Sequence, residues 1–204
     1  MTVHYRPGEV ERLAIAKGTL VALRLVQPRD AGLLVRGFER LSPESRYRRF
    51  FGHKNALTSD EVRYLTDCDG TNHFAIAALI ERADGGEEGI GVARFIRLPD
   101  DSRTAEGAVA VIDAFQRRGL GSLLARRLLS AAAERGVDRL EFVVQPENQP
   151  MLVLLRKLAL VAKVRVDTRR GGTGVTVVVP TGPLRRRPFL HRILAHASRL
   201  RARA

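Results

Sequence analysis

The chain has 204 residues, 45% of them hydrophobic, which suits one domain able to bury a substantial core and argues against global disorder. A lone cysteine, Cys68, excludes an internal disulfide; no apolar run reaches bilayer length, no secretory leader is visible, and the cytoplasm is the expected compartment. The formal net charge is +13, and seven arginines (Arg185, Arg186, Arg187, Arg192, Arg199, Arg201, Arg203) lie with no acid between Leu184 and Ala204. The remaining body is moderately basic, as suits a ligand carrying several phosphates. Without Cys/His pairs at ligand spacing, no metal is expected.

In chain order, residues 1–18 read as an N-terminal extension and 19–26 as a first strand, followed by the turn Gln27-Pro28-Arg29-Asp30. A helix is expected over 31–40. Ser42 before Pro43 looks like an N-cap with proline at the first helical position, opening a helix through Phe51. Ser59 is expected to cap a helix over 60–66. Residues 73–81 and 89–98 read as antiparallel strands joined at Asp84-Gly85-Gly86, and 105–112, apolar on both faces, as a central strand. A helix from Gly119 to Arg135 puts Leu120, Leu123, Leu124, Leu128, Ala131 and Ala132 on one face. A strand over 139–144, a helix over 149–158 and a hairpin of 161–167 with 173–180 around Arg170-Gly171-Gly172 complete the domain, set at 19–183. The order implies an α+β fold with a mixed, mostly antiparallel central sheet flanked by helices.

The densest chemical signal is Val109-Ala110-Val111-Ile112-Asp113-Ala114-Phe115-Gln116-Arg117-Arg118-Gly119-Leu120-Gly121-Ser122. An apolar strand runs through a basic turn into an amphipathic helix. The first N–H groups of a helix have no intrahelical partner and sit at the positive end of its dipole, which suits an anion such as pyrophosphate. Gly119 and Gly121 would let the backbone approach, and Arg117 and Arg118 add charge. The spacing is not Gly-x-Gly-x-x-Gly, and no Gly-Lys-Ser/Thr is present, so neither a dinucleotide turn nor a nucleoside-triphosphate loop is indicated. As Gln/Arg-x-x-Gly-x-Gly, the turn resembles the acetyl-CoA loop of the GCN5-related N-acetyltransferases, the GNAT superfamily.

The resemblance covers about residues 20–180. It extends over Gly91-Val92-Ala93-Arg94-Phe95, over Ala105-Glu106 through Gly121, and over Pro146-Glu147-Asn148 with Arg156-Lys157-Leu158. Upstream, residues 24–31, 41–51 and Leu57-Thr58 resemble the GNAT domain of bacterial Pat-type protein lysine acetyltransferases, which is often fused to a cyclic-nucleotide-binding domain or acyl-CoA synthetase modules. The resemblance implies a GNAT fold, acetyl-CoA as co-substrate and a primary amine as acceptor, with protein lysine first. A small-molecule amine, or a non-catalytic acyl-CoA-binding regulatory module, are the alternatives.

It also implies site residues. Ala105-Glu106-Gly107-Ala108-Val109-Ala110-Val111 matches a pattern in which the glutamate is the general base, so Glu106 is the catalytic candidate. The other reading is a glutamate ending a turn in solvent. Cofactor contacts fall to Val109, Val111, Gln116, Arg117, Arg118, Gly119, Leu120, Gly121, Ser122 and Asn148. Backbone groups of residues 109–112 would pair with the pantetheine amides. Asn148 would reach the pantetheine arm, or cap the helix after it. Many members protonate the leaving thiolate with a tyrosine on that helix, but Met151-Leu152-Val153-Leu154-Leu155-Arg156-Lys157 has none. With a thiol pKa of about 8.5, water suffices.

His73 reads as structural or substrate-side, and Cys68, between Asp67 and Asp69, as non-nucleophilic. Arg46, Tyr47, Arg48 and Arg49 are either an acceptor wall or solvated. In the tail, Phe189, Leu190, Ile193, Leu194, Ala197 and Leu200 share one helical arc, with Arg192, His196, Arg199 and Arg203 on another. Packing on the domain or in a homodimer is expected there, ahead of nucleic acid or membrane contact.

Overall fold

Alternating apolar and polar side chains build strands, and runs of apolar residues at helical spacing build the layers over them. The computed structural model describes residues 5–162, 169–171 and 174–181. The order is β1 (Val10–Ala14), β2 (Leu20–Leu25), α1 (Ala31–Glu39), α2 (Pro43–Phe50), α3 (Ser59–Thr66), β3 (His73–Glu81), β4 (Glu87–Leu98), β5 (Asp101–Val111), α4 (Leu120–Glu134), β6 (Arg139–Val144), α5 (Gln149–Ala162), β7 (Arg169–Gly171) and β8 (Gly174–Pro180). All described strands join one sheet in the order β1-β2-β3-β4-β5-β6-β8-β7. Every neighbouring pair is antiparallel except β5 with β6. The α+β sheet expected from the sequence is therefore present.

The sheet carries helices on both faces. A side chain at Gly89 would meet Leu33 of α1, whereas one at Gly91 would meet Leu124 of α4. Two residues of one strand an even number apart should face the same way. The register shifts at Ala78/Leu79, where Ala78 pairs with Gly91 and Leu79 with Gly89. Ile90 is the extra residue of a bulge, and it turns the strand over between the two layers. The apolar face of α4 lies as its periodicity predicts, with Leu120, Leu124, Leu128, Ala131 and Ala132 fully buried.

Local chemistry sets the helix ends. Ser42 Oγ accepts from the Ser45 N–H at 3.1 Å, and Pro43 opens α2. The cap of α3 is Thr58, not Ser59 as expected. Thr58 Oγ1 accepts from the Glu61 N–H at 3.2 Å, and Glu61 Oε2 accepts from the Thr58 N–H at 2.8 Å. This reciprocal box needs an acid three residues beyond the cap, which only Thr58 has. Near the C-terminal end, α5 runs through Ala162 without a breaker. Val161 is thus helical instead of opening a strand, Arg170 and Gly171 lie within β7, and the expected first arm beyond Ala162 (163–167) lies outside the described residues, as does the basic tail.

A strand before residue 19 was not expected. β1 pairs with β2, and its Glu11 reaches across to α4: Arg127 Nε donates to Glu11 Oε2 at 2.9 Å, and the Tyr5 hydroxyl donates to the same carboxylate. The Arg127 hydrogen bond holds the Glu11 carboxyl below its ordinary value against the opposing effect of burial.

β5 and β6 pair in register only over Thr104, Ala105 and Glu106 with Arg139, Leu140 and Glu141. Beyond that point they part. The first residue past the fork is Gly107, where a Cβ would lie 2.6 Å from the ring of Phe142, the first residue past the fork on β6. That ring occupies the place of the missing side chain. The Ile112 N–H donates to the Ile90 carbonyl, and paired residues exchange both hydrogen bonds at alternate positions. The amides of Gly107, Val109 and Val111 therefore turn away from β4, toward the opening.

Two outcomes follow from this packing. Gly107→Ala should lower stability by about 1–3 kcal/mol through overpacking against Phe142, read as a reduced denaturant midpoint. Glu11→Gln should lower the thermal midpoint at neutral pH. Because the folded carboxyl titrates below its unfolded value, its stabilisation is complete above about pH 4.3 and lost as pH falls through the folded value. The gap between parent and variant should close on acidification across that window in pH-dependent melts.

Candidate active site

Glu106 stands at the fork, exposed, in register with Ile96 on one side and Glu141 on the other. In-register residues of neighbouring strands share a face, so Glu106 and Glu141 present two carboxylates side by side. The sequence reading missed Glu141; the only signal was an acid inside the apolar strand Leu140-Glu141-Phe142-Val143-Val144.

Past the fork, Val109 and Val111 carry the open edge. The Val111 carbonyl accepts from Gln116 Nε2 at 3.1 Å, and the same amide nitrogen donates to Ser45 Oγ at 3.2 Å. Gln116 thus ties β5 to α2. Asp113 reinforces the joint by accepting from the Ser42 N–H, Ser42 Oγ and Ser45 Oγ, each at 2.9 Å. Burial works to raise its carboxyl, but these hydrogen bonds outweigh burial and hold it below its ordinary value.

The loop then coils through two left-handed residues, Arg117 (φ 57°) and Gly119 (φ 84°), into α4. Glycine takes that conformation at no steric cost. Gly119 is the N-cap and has no side chain to satisfy the first amides, and no acid lies in the first turn. Gly121 is different: a Cβ there would meet only Val111 and Leu154, at 3.9 and 4.0 Å. Packing does not demand a glycine at Gly121, so its smallness leaves free space over the helix start. Ser122 is half-buried in the first turn and Leu120 is core. Arg117 is exposed, and Arg118 lies 4.9 Å from the centre of the Phe115 ring. Open strand edge, uncapped amides, free space and two arginines are what a pantetheine pyrophosphate requires, so these residues fit acetyl-CoA.

Asn148 sits at the start of α5, where its Oδ1 accepts from the Met151 N–H at 3.3 Å. This is the capping role. Leu155 is fully buried, and Met151 packs on the core.

The residues suspected of walling the acceptor side divide. Arg46 donates to the carbonyls of Leu41, Asn55 and Glu39 and lies over the Phe38 ring, a structural role. Arg48 pairs with Glu44. Tyr47 is exposed. Arg49 alone of the four lines an apolar cavity of about 100 Å³ between α1–α3 and the sheet. Arg94 lines it too, nearly fully buried. His73 Nε2 lies 3.1 Å from Arg94 Nη1, with burial and that guanidinium pushing the imidazole below its ordinary value. Burial also pushes the Cys68 thiol up, more than its acidic neighbours do, consistent with a non-nucleophilic thiol. Among the described residues, no group of three or more His, Cys, Asp or Glu is placed to hold a metal, and no helix is long and apolar enough to cross a membrane.

Comparison with known proteins agrees with this arrangement. The sequence pattern of the acetyltransferase (GNAT) family matches residues 40–159, more than half of the chain. Acetyltransferase Pat of Mycolicibacterium smegmatis is 32% identical over 177 residues, covering 78% of this chain and 52% of that protein. Acetyltransferase PA5475 of Pseudomonas aeruginosa is 27% identical over 146 residues, covering 72% and 77% respectively. The crystal structure of the GNAT domain of S. lividans PAT superposes with a TM-score of 0.73 at 27% identity, covering 84% of this chain and 96% of that one. The chain spans about half the length of the M. smegmatis Pat it matches. With the family pattern running from α2 to α5 over more than half of the chain, the chain belongs to the GNAT family of acetyltransferases.

Proposed function

We infer that this acetyltransferase moves an acetyl group from acetyl-CoA to a primary amine, with a protein lysine side chain as the acceptor. The observation that carries the reading is the fork. Glu106 at the vertex, the open β5 edge and the uncapped start of α4 follow one another along residues 106–122. Acetyl-CoA supplies the acetyl thioester, which the amine attacks directly. Val109 and Val111 offer backbone amides to the pantetheine arm. The amides of Leu120, Gly121 and Ser122, with Arg117 and Arg118, hold the pyrophosphate, and Gln116 keeps the loop against β5. Asn148, whose Oδ1 caps α5, offers its amide nitrogen to the same arm.

The acceptor chemistry turns on a proton. A lysine ammonium has a reference pKa of about 10.4, and only the neutral amine attacks. Glu106 takes that proton, directly or through one water. Glu141 beside it adds negative charge that draws the ammonium in. The lysine preference is supported by the likeness of residues 24–31, 41–51 and 57–58 to Pat-type domains and by the overall likeness to Acetyltransferase Pat.

Acetyl-CoA should raise the thermal midpoint of the protein, because a ligand that binds only the folded state stabilises it by mass action. Gly121→Glu, which puts bulk and negative charge at the helix start, should abolish that shift in a melting assay; a shift as large as the parent's would refute the loop assignment. Glu106→Gln should cut turnover by about 10²-fold or more with the acetyl-CoA shift retained, measured as thiol release with a lysine peptide. A loss of that size in Glu141→Gln but not in Glu106→Gln would move the base to β6.

A further inference from the structure

The cavity beneath α1–α3 is mostly apolar, walled by side chains such as Leu33, Leu34, Phe38 and Leu79, yet Arg49 and Arg94 line it too, together with Asp30, whose carboxylate is taken up by Arg24. Arg94 is 4% exposed, and its two hydrogen bonds go to neutral groups, Nη2 to the Leu65 carbonyl at 3.1 Å and Nη1 against His73. Burial pushes its guanidinium down to about 10, with Arg49 adding to the effect. Burial likewise pushes Arg49 down, and only the charge of Glu106 favours it. Neither arginine has an ion-pair partner within 4.0 Å among the described residues. Elsewhere the fold answers such a charge in full: Arg24, equally buried, is held by Asp30 through two bonds at 2.7 and 2.8 Å and by Glu87. A buried cation such as Arg94 is costly unless an anion completes it, and half-buried Arg49, its guanidinium 5.2 Å from the centre of the Phe50 ring, sets a second positive charge beside it.

The position of the pair indicates which anion. Arg94 on β4 is in register with Ala108 of β5, two residues from Glu106 and on the same face. Glu106 and Glu141 lie at one end of this surface, Arg49 and Arg94 at the other. Carboxylates at one end suit an ammonium, and guanidiniums at the other suit a planar carboxylate, which they meet through paired N–H groups. The leucine and phenylalanine walls suit an apolar stem. We propose that Arg49 and Arg94 form a carboxylate-binding subsite of the acceptor pocket, so that the acceptor bears a carboxylate on an apolar stem close to its reacting amine. The carboxylate is that of a free amino acid or of an acidic side chain beside a target lysine. The assignment to the acceptor rests on the amine-acetylation reading above; binding of the carboxylate does not.

The first test needs no turnover. Isothermal titration of the full-length protein with 4-methylpentanoate should show binding, and the neutral isostere 4-methylpentanamide should bind at least about tenfold more weakly. Arg49→Gln and Arg94→Met should each weaken the acid by a similar factor, with the acetyl-CoA-induced melting shift as the check on folding. If a variant loses that shift, the acid/amide comparison in the parent protein decides. Equal binding of acid and amide, binding of neither, or tighter binding of inorganic phosphate would overturn the subsite. The second test separates the sources: acetylation of L-leucine against 3-methylbutylamine, and of acetyl-Ala-Glu-Lys-Ala-amide against its Gln counterpart. A higher kcat/KM for the acid-bearing member of the first pair marks a free amino acid, and of the second an acidic side chain; Arg49→Gln should reduce either preference. If amines are acetylated without preference for the acid, the subsite fails as acceptor recognition and the amine reading stands. If the acid binds but no amine is acetylated, the amine reading fails and the subsite stands.

Discussion

A sheet interior cannot leave backbone amides unanswered, and the parting of β5 from β6 after Glu106 does that to Gly107, Val109 and Val111. The remaining architecture accommodates this break. Gly107 gives up its side chain to the Phe142 ring at the point where the ladder ends. Gln116 answers the Val111 carbonyl from the loop, and α4 begins just beyond with its own first amides uncapped. Unpaired strand edge and uncapped helix start thus lie close together along the chain, and the candidate site is built from these backbone groups.

Rigid joints surround the opening. Asp113 clamps the start of α2 to the loop after β5 through three hydrogen bonds, and Arg24 with Asp30 and Glu87 fixes the entry to α1 against the sheet. These pairs are buried or geometrically constrained, so they set orientation more than they add stability. Arg49 and Arg94 differ: among the described residues neither has a carboxylate within 4.0 Å, whereas Arg24 has two.

Much of this was legible in advance. Apolar patterning located β3, β4, β6 and α4, because each buries an apolar face or strand within one short segment, and the Ser42-Pro43 cap signal located α2. The Gln116–Ser122 turn was recognisable because its two glycines stand at fixed positions between an apolar strand and a helix. The misreadings share a cause. β1 carries charges at Glu11 and Arg12 and looks solvated until Arg127, far along the chain, pairs with Glu11. Ser59 and Thr58 are equally good caps in isolation, and the position of Glu61 chose between them. Glu141 and Arg94 are polar residues flanked by apolar neighbours in their strands, and sequence does not say which face they occupy.

The sequence by itself determined the class of the fold, the family to which the chain belongs, and the local elements whose hydrogen bonds close within a few residues. Only tertiary structure decided that β5 and β6 pair for three residues and then part, that the Ile90 bulge switches β4 between two helical layers, that Arg94, Glu106 and Glu141 share one face of the sheet, and that Arg49 of α2 lines the same cavity as Arg94. Those outcomes depend on strand register and on contacts between distant segments. A shift of one residue reverses every side chain of a strand, and nothing in a single strand's own sequence records its register against its neighbour.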